Sequence, residues 1–256
     1  MKKKSSSKGP DICIEHGENK IWVEAVAPTR GDKDKQSSVA EMEYEELQFD
    51  PKTGEACPFT GPGYVLDEGK TKLRYLSVIG KKNDTIRRWI GEKIILPTHP
   101  VIIAVNSANI PEDDSSDMPI IKKACFGLGD HIIRFRRNSE TNTVETSGSS
   151  YANAPTVSKI SVESASEVAI ESDIFRQNKY PHISALVFSY ARVGTNPFDG
   201  ELHVIHNPFA RNPLPRNFLP HVKDCWLENI MYDSGKIVGA TIVEVDRTEK
   251  DEAGQL

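Results

Sequence analysis

The sequence predicts an α/β (α+β) protein built on one mixed sheet with flanking helices, and three observations carry that expectation. Two apolar stretches, 11–14 and 20–26, flank His16, Gly17, Glu18 and Asn19 in the pattern of a strand hairpin. Between 71 and 91, Leu73, Leu76, Ile79, Ile86 and Ile90 recur at three-, four- and seven-residue intervals, the signature of an amphipathic helix, although Gly80 weakens it. Val101, Ile102, Ile103, Ala104 and Val105 form an apolar run of strand length, which suits a strand buried on both faces.

The rest of the chain extends the mixture. Residues 132–136, 183–188 and 202–205 read as strands, and 163–176 as a helix. Asp233, Ser234 and Gly235 are the turn of a last hairpin, between 226–232 and 236–245. The expected organisation is a disordered basic tail over 1–9 and an α/β core over 10–136. A linker-like loop follows over 137–156, rich in Ser, Thr, Asn and Gly. Residues 157–245 are a C-terminal α+β part of the same sheet or a small second domain, and 246–256 a polar tail.

Composition narrows the function classes. With 256 residues, 38% hydrophobic and 27% charged, collagen-like, coiled-coil and largely disordered chains are excluded. Mean hydropathy is -0.46, and no apolar run approaches the roughly 18 residues of a spanning helix, so no membrane partner is expected. The basic start MKKKSSSKG precedes no apolar signal core, and Cys13, Cys57, Cys125 and Cys225 form no CxxC pair. A cytoplasmic protein with reduced cysteines is expected. The net charge of -5 means that any nucleic-acid partner must be met by local charge. Residues 31–69 are strongly acidic, whereas 70–93 hold Lys70, Lys72, Arg74, Lys81, Lys82, Arg87, Arg88 and Lys93 against Asp84 and Glu92.

No GxGxxG, GxxxxGK[ST] or GxSxG motif is present, and Gly127-Leu128-Gly129 lacks the third glycine of a dinucleotide loop. Nucleotide-kinase and hydrolase-triad chemistry are therefore not expected. His203 and His206 stand three apart on a strand, which sends them to opposite faces and argues against a metal pair. His206-Asn207-Pro208 reads as a capped turn.

The informative constellation is Pro10-Asp11 followed, one hairpin later, by Glu24. A hairpin can bring one carboxylate from each strand to the same sheet edge, the minimal set for holding Mg²⁺ against a phosphate. Here the sequence resembles the PD-(D/E)xK, restriction-endonuclease-like nuclease superfamily. The resemblance implies that fold and Mg²⁺-dependent cleavage of nucleic-acid phosphodiesters, with Asp11 and Glu24 as metal ligands and the Ala25 carbonyl as a third. It departs from the family where Val26 stands in the position of the activating lysine, and only nine residues precede Pro10, where the family core begins with a helix. Some members take that lysine from the following helix, and Lys82 is the substitute expected here. Lys70, Arg74, Lys81 and Arg88, spaced along one side of the same helix, are the expected nucleic-acid contacts. The alternative is a non-catalytic nucleic-acid-binding or protein-interaction module that keeps the fold.

A second resemblance covers the C-terminal half. Residues 180–189 and the run 206–215, HNPFARNPLP, look like the strand and HNPxAxxPLP turn of an uncharacterised bacterial protein group, whose N-terminal parts carry a segment similar to 21–28. It supports an architecture spanning most of 10–240 and implies no activity.

Overall fold

Two hairpins bracket a sheet whose inner strands pair in both senses. The computed structural model describes residues 9–16, 19–29, 67–110, 118–138, 141–160, 167–191 and 202–247. Strands β1 (Ile12–His16) and β2 (Asn19–Val26) pair antiparallel, with Ile12 opposite Val23 and Glu15 opposite Lys20. After β2 comes α1 (Glu68–Gly91), and then β3 (Val101–Asn106), which lies parallel to β2 with Ile103 opposite Glu24.

Helix α1 starts where the Asp67 side chain accepts the Lys70 backbone N–H at 2.9 Å, an N-cap that satisfies one of the orphan donors of the first turn. The short α2 (Ile120–Phe126) follows Pro119 and stops at Gly127, whose φ of 63° is left-handed. Gly127 is required for a second reason: a Cβ there would lie 2.8 Å from the Asp173 Cβ and 3.2 Å from the Pro155 Cα.

Strands β4 (Leu128–Arg137) and β5 (Val144–Asn153) form an antiparallel ribbon outside the main sheet, and β6 (Thr156–Ile160) with β7 (Glu167–Glu171) forms another. The chain then returns through β8 (Ala185–Ser189), β9 (Leu202–His206), β10 (Lys223–Asp233) and β11 (Lys236–Asp246). The seven-stranded sheet has the order β1-β2-β3-β8-β9-β10-β11. The β2/β3, β3/β8 and β9/β10 pairs are parallel and the others antiparallel.

Both faces of the central strands are covered. On one, Tyr75, Ile79 and Ile86 of α1 and Ile121 and Phe126 of α2 pack with Ile103, Leu186, Phe188 and Ile205. On the other, Ile21, Val23, Ile102, Val187 and Val204 pack under Leu214 and Val222 of the β9–β10 connection. The result is an α+β protein with one large mixed sheet and two helices among the described residues. Strands β8 to β11 continue the sheet that β1 to β3 begin, so the C-terminal part shares it.

Two expectations need correction. The linker-like loop over 137–156 holds β5, a strand over Val144–Asn153. Its composition misleads because the ribbon is solvent-facing and no apolar alternation is needed to bury a face. Within the expected helix 163–176, Glu167–Glu171 is strand β7, where Val168 and Ile170 alternate at a spacing of two. Residues 163–166 lie outside the described residues, as do 1–8, 248–256 and most of the acidic stretch, 31–66. Helix α2 escapes sequence reading because all seven of its residues are buried, which leaves no amphipathic period.

Candidate functional site

The site forms at the free end of the β1–β2 hairpin. The Trp22 backbone N–H donates to the Pro100 carbonyl at the start of β3. By alternation the Ala25 N–H and carbonyl therefore point the other way, toward β1. Strand β1 runs out at Ile12, so no backbone carbonyl is left to meet Ala25, and the Asp11 carboxylate accepts that N–H instead through Oδ2 at 2.8 Å. The Asp11 carboxylate thus lies just past the end of β1, on the backbone N–H of the residue that follows Glu24.

Glu24 sits on the face covered by α1. Its side chain is 7% exposed, and Oε1 accepts from Lys82 Nζ at 2.5 Å. The other carboxylate oxygen, Oε2, is buried with no hydrogen-bond partner. A charged oxygen removed from water without a partner is costly, and a bound water or a cation can complete its set.

Helix α1 can deliver Lys82 because its position is fixed at three points. Arg74 Nε donates to the Thr29 carbonyl at 2.5 Å and Arg74 Nη2 to Thr29 Oγ1 at 3.0 Å, tying the helix to the chain just past β2. Glu68, in the first turn, accepts from Lys72 and Lys123, both at 2.6 Å, which ties α1 to α2. Burial alone would raise the Glu68 carboxyl, but the hydrogen bonds and charges of the two lysines outweigh it and hold it below its ordinary value. At the buried end of the helix, Trp89, Ile86 and Ile79 pack into the core. Lys82 lies at the margin of that buried face and reaches the strand.

Glu24 and Lys82 are thus joined across strand and helix, and Asp11 is held on the backbone of the next residue, Ala25, while Val26 packs against the helix-side core and carries no polar function. The basic stripe divides. Lys81 and Arg88 are exposed, whereas Lys70 pairs with Asp67 at 3.2 Å and Arg74 is consumed by Thr29.

At the carboxyl ends of β2, β3 and β8 lies a cleft of about 360 Å³, lined by Ala25, Ala27, Val105, Asn106, Val187 and Ser189 among others. The carboxyl ends of parallel strands are where open α/β sheets place ligands.

His203 and His206 do face opposite sides. His203 stacks on Phe188 with ring centroids 4.5 Å apart; burial first, then Lys122 and Lys223, lowers its pKa to about 3. His206 Nε2 meets Asp224 Oδ1 at 2.6 Å, and Asp224 Oδ2 accepts the Asn217 N–H at 3.2 Å. Burial would raise Asp224, but the His206 contact, the Asn217 N–H and the Arg247 charge prevail and hold it low. This pair anchors the 207–222 connection. Asn207 caps its start, donating to the carbonyls of Tyr180 and Ile183 and accepting from Phe209. No signal in the sequence links His206 to Asp224, because the pairing depends on the parallel register of β9 and β10.

No family model, curated protein or solved structure matches the chain. No helix of the described residues is long and apolar enough to cross a membrane.

The donors at Asp11 and Glu24 suit a hard divalent cation, being carboxylate and carbonyl oxygens. Among the described residues no group of three His, Cys, Asp or Glu side chains gathers for a metal, so such an ion would rest on two carboxylates and the Ala25 carbonyl. The unpartnered Glu24 Oε2 is the observation on which that fit rests.

Proposed function

We propose that the chain is a Mg²⁺-dependent nuclease of the restriction-endonuclease-like kind, acting on nucleic-acid phosphodiesters in the cytoplasm. The observation that carries the reading is the buried Glu24 carboxylate, with one oxygen held by Lys82 and the other unpartnered, beside Asp11 at the end of the hairpin. The order of hairpin, helix and parallel strand supports it, because this places the acidic strand next to the helix that can replace the lysine missing at Val26.

In the reaction, water adds to phosphorus and one P–O ester bond breaks, leaving a phosphomonoester and a hydroxyl. A cation held by Asp11, Glu24 and the Ala25 carbonyl would supply charge neutralisation and a more acidic bound water. Asp11 keeps one oxygen on the Ala25 N–H, which fixes the orientation of its carboxylate. Lys82, anchored to Glu24, presents its remaining N–H donors toward the attacking water or a phosphate oxygen. Glu24 sets the position of that ammonium and, being buried, keeps bulk water away from one side of it.

The test is cleavage of plasmid DNA and of single-stranded RNA by the purified chain with millimolar Mg²⁺ or Mn²⁺. Metal-dependent cleavage lost in Asp11→Ala and Lys82→Met, with both variants folded by circular dichroism, supports the reading. Absence of cleavage with either metal, or cleavage that survives both substitutions, overturns it and leaves the binding-module alternative.

A further inference from the structure

The β4–β5 ribbon leaves the body of the protein from a firmly held base. The Ala154 N–H donates to the Gly127 carbonyl at 2.7 Å, Lys72 Nζ to the Leu128 carbonyl at 2.7 Å, and Arg176 Nη1 to Asn153 Oδ1 at 3.0 Å. Beyond that base the ribbon is open on both faces. Ile132, Ile133, Phe135 and Val144 are all exposed, Phe135 to 65%. Such a ribbon contributes little to the core, and its sequence is not explained by folding.

Its charge is one-sided. Arg134, Arg136 and Arg137 occupy three of the last four positions of β4, whereas the opposing strand presents Gly148 to Arg134 and Glu145 to Arg136. Glu145 is itself occupied, accepting from Asn138 at 3.3 Å and Thr143 at 3.5 Å. Among the described residues none of the three arginines forms an ion pair. Arg134 and Arg136, two apart on the strand, share a face.

We propose that the β4–β5 ribbon is a duplex-DNA-binding arm that enters the major groove, with Arg134, Arg136 and Arg137 on phosphates and base edges. The inference rests on the nuclease reading for its biological purpose and names the substrate class of that site. Charge complementarity points to a polyanion, and the shape selects among polyanions. The B-DNA major groove, about 12 Å wide, admits a two-stranded ribbon, whereas the A-form RNA major groove is too deep and narrow. Unpaired guanidinium groups in a row match phosphates and guanine edges bidentately, which lysines would not.

The experiment measures binding of the full chain to a fluorescein-labelled DNA duplex and to an RNA duplex of the same sequence, by anisotropy in EDTA over a salt series. Cleavage does not enter the readout, so failure of the nuclease reading and failure of the arm are separate results. The expected result is preference for the DNA duplex, with at least tenfold weaker binding for R134A/R136A/R137A. The slope of log affinity against log salt should fall by about 0.9 for every phosphate that the variant leaves unneutralised. All three side chains are exposed, so the variant should melt as the parent does, and the corresponding triple lysine variant should keep the salt slope while losing DNA preference. Equal affinity of the alanine variant and the parent, equal binding of RNA and DNA, or no binding of either duplex would overturn the proposal. So would a self-associating chain that becomes monomeric on Phe135→Ser while DNA binding ignores the arginines, because the ribbon would then join copies of the chain.

Discussion

Replacing Lys82 with methionine keeps most of the side-chain stem but removes the only partner described for the buried Glu24 carboxylate. The carboxylate, 7% exposed, would then hold a negative charge with neither oxygen satisfied. Breaking a fully buried ion pair costs about 3–5 kcal/mol, since the surviving charge remains desolvated. Lys82 is 25% exposed, so water can follow the lost ammonium part of the way, and about 2–3 kcal/mol is expected. At about 2–4 °C per kcal/mol for a chain of this size, the melting temperature should fall by roughly 4–12 °C. Urea unfolding at neutral pH measures the loss, and Glu24→Gln with the Lys82→Met/Glu24→Gln pair completes a double-mutant cycle. The neutral glutamine removes the stranded charge, so the double variant should be more stable than the sum of the single losses implies, by at least about 1 kcal/mol. Lys82→Met within about 0.5 kcal/mol of the parent, or additivity within that margin, would refute a buried, coupled pair.

Two further outcomes follow from buried groups and constrained backbone. His203 stays neutral in the fold down to about pH 3, while in the unfolded chain it protonates near 6.5. The unfolded state therefore binds the proton first, and stability falls as pH drops below the unfolded value, by up to about 2 kcal/mol at pH 5. Urea midpoints at pH 7 and pH 5 should differ less for His203→Phe than for the parent, and equal differences would contradict this. At Gly127, alanine would combine a φ of 63° with a Cβ 2.8 Å from the Asp173 Cβ, at a cost of about 2–4 kcal/mol. Gly235→Ala has a similar φ of 78° and open space, so it should cost only about 1 kcal/mol by thermal melting; equal losses at the two sites would remove steric closeness as the cause.

The elements with a clear period were legible in the sequence. The β1–β2 hairpin, α1, β3 and the β10–β11 hairpin all follow from spacing and turn chemistry, and Ser234 and Gly235 do adopt the positive φ of a two-residue hairpin turn. Elements without a contrast between faces were not. Helix α2 is buried all round, and β5 is largely exposed along its length, so neither carries an amphipathic signal. At the site, the proximity of Lys82 to Glu24 was legible because one is on a strand and the other on the next helix, packed over it. The engagement of Arg74 by Thr29 was not, because a guanidinium that binds backbone looks the same in sequence as one that binds phosphate. The His206–Asp224 pair was hidden for a related reason: it is made by strand register between segments 18 residues apart.

Asp11 and Glu24 together holding a divalent cation beside Lys82 is the claim on which the proposed chemistry depends. Electron paramagnetic resonance of Mn²⁺ titrated into the folded chain tests it without requiring turnover, because free hexaaqua Mn²⁺ gives a strong signal that binding diminishes. One ion should bind per chain, be displaced by Mg²⁺, and fail to bind in both Asp11→Ala and Glu24→Gln variants that remain folded. A chain that leaves all the Mn²⁺ free, or that binds it equally well without Asp11 and without the Glu24 charge, would contradict it.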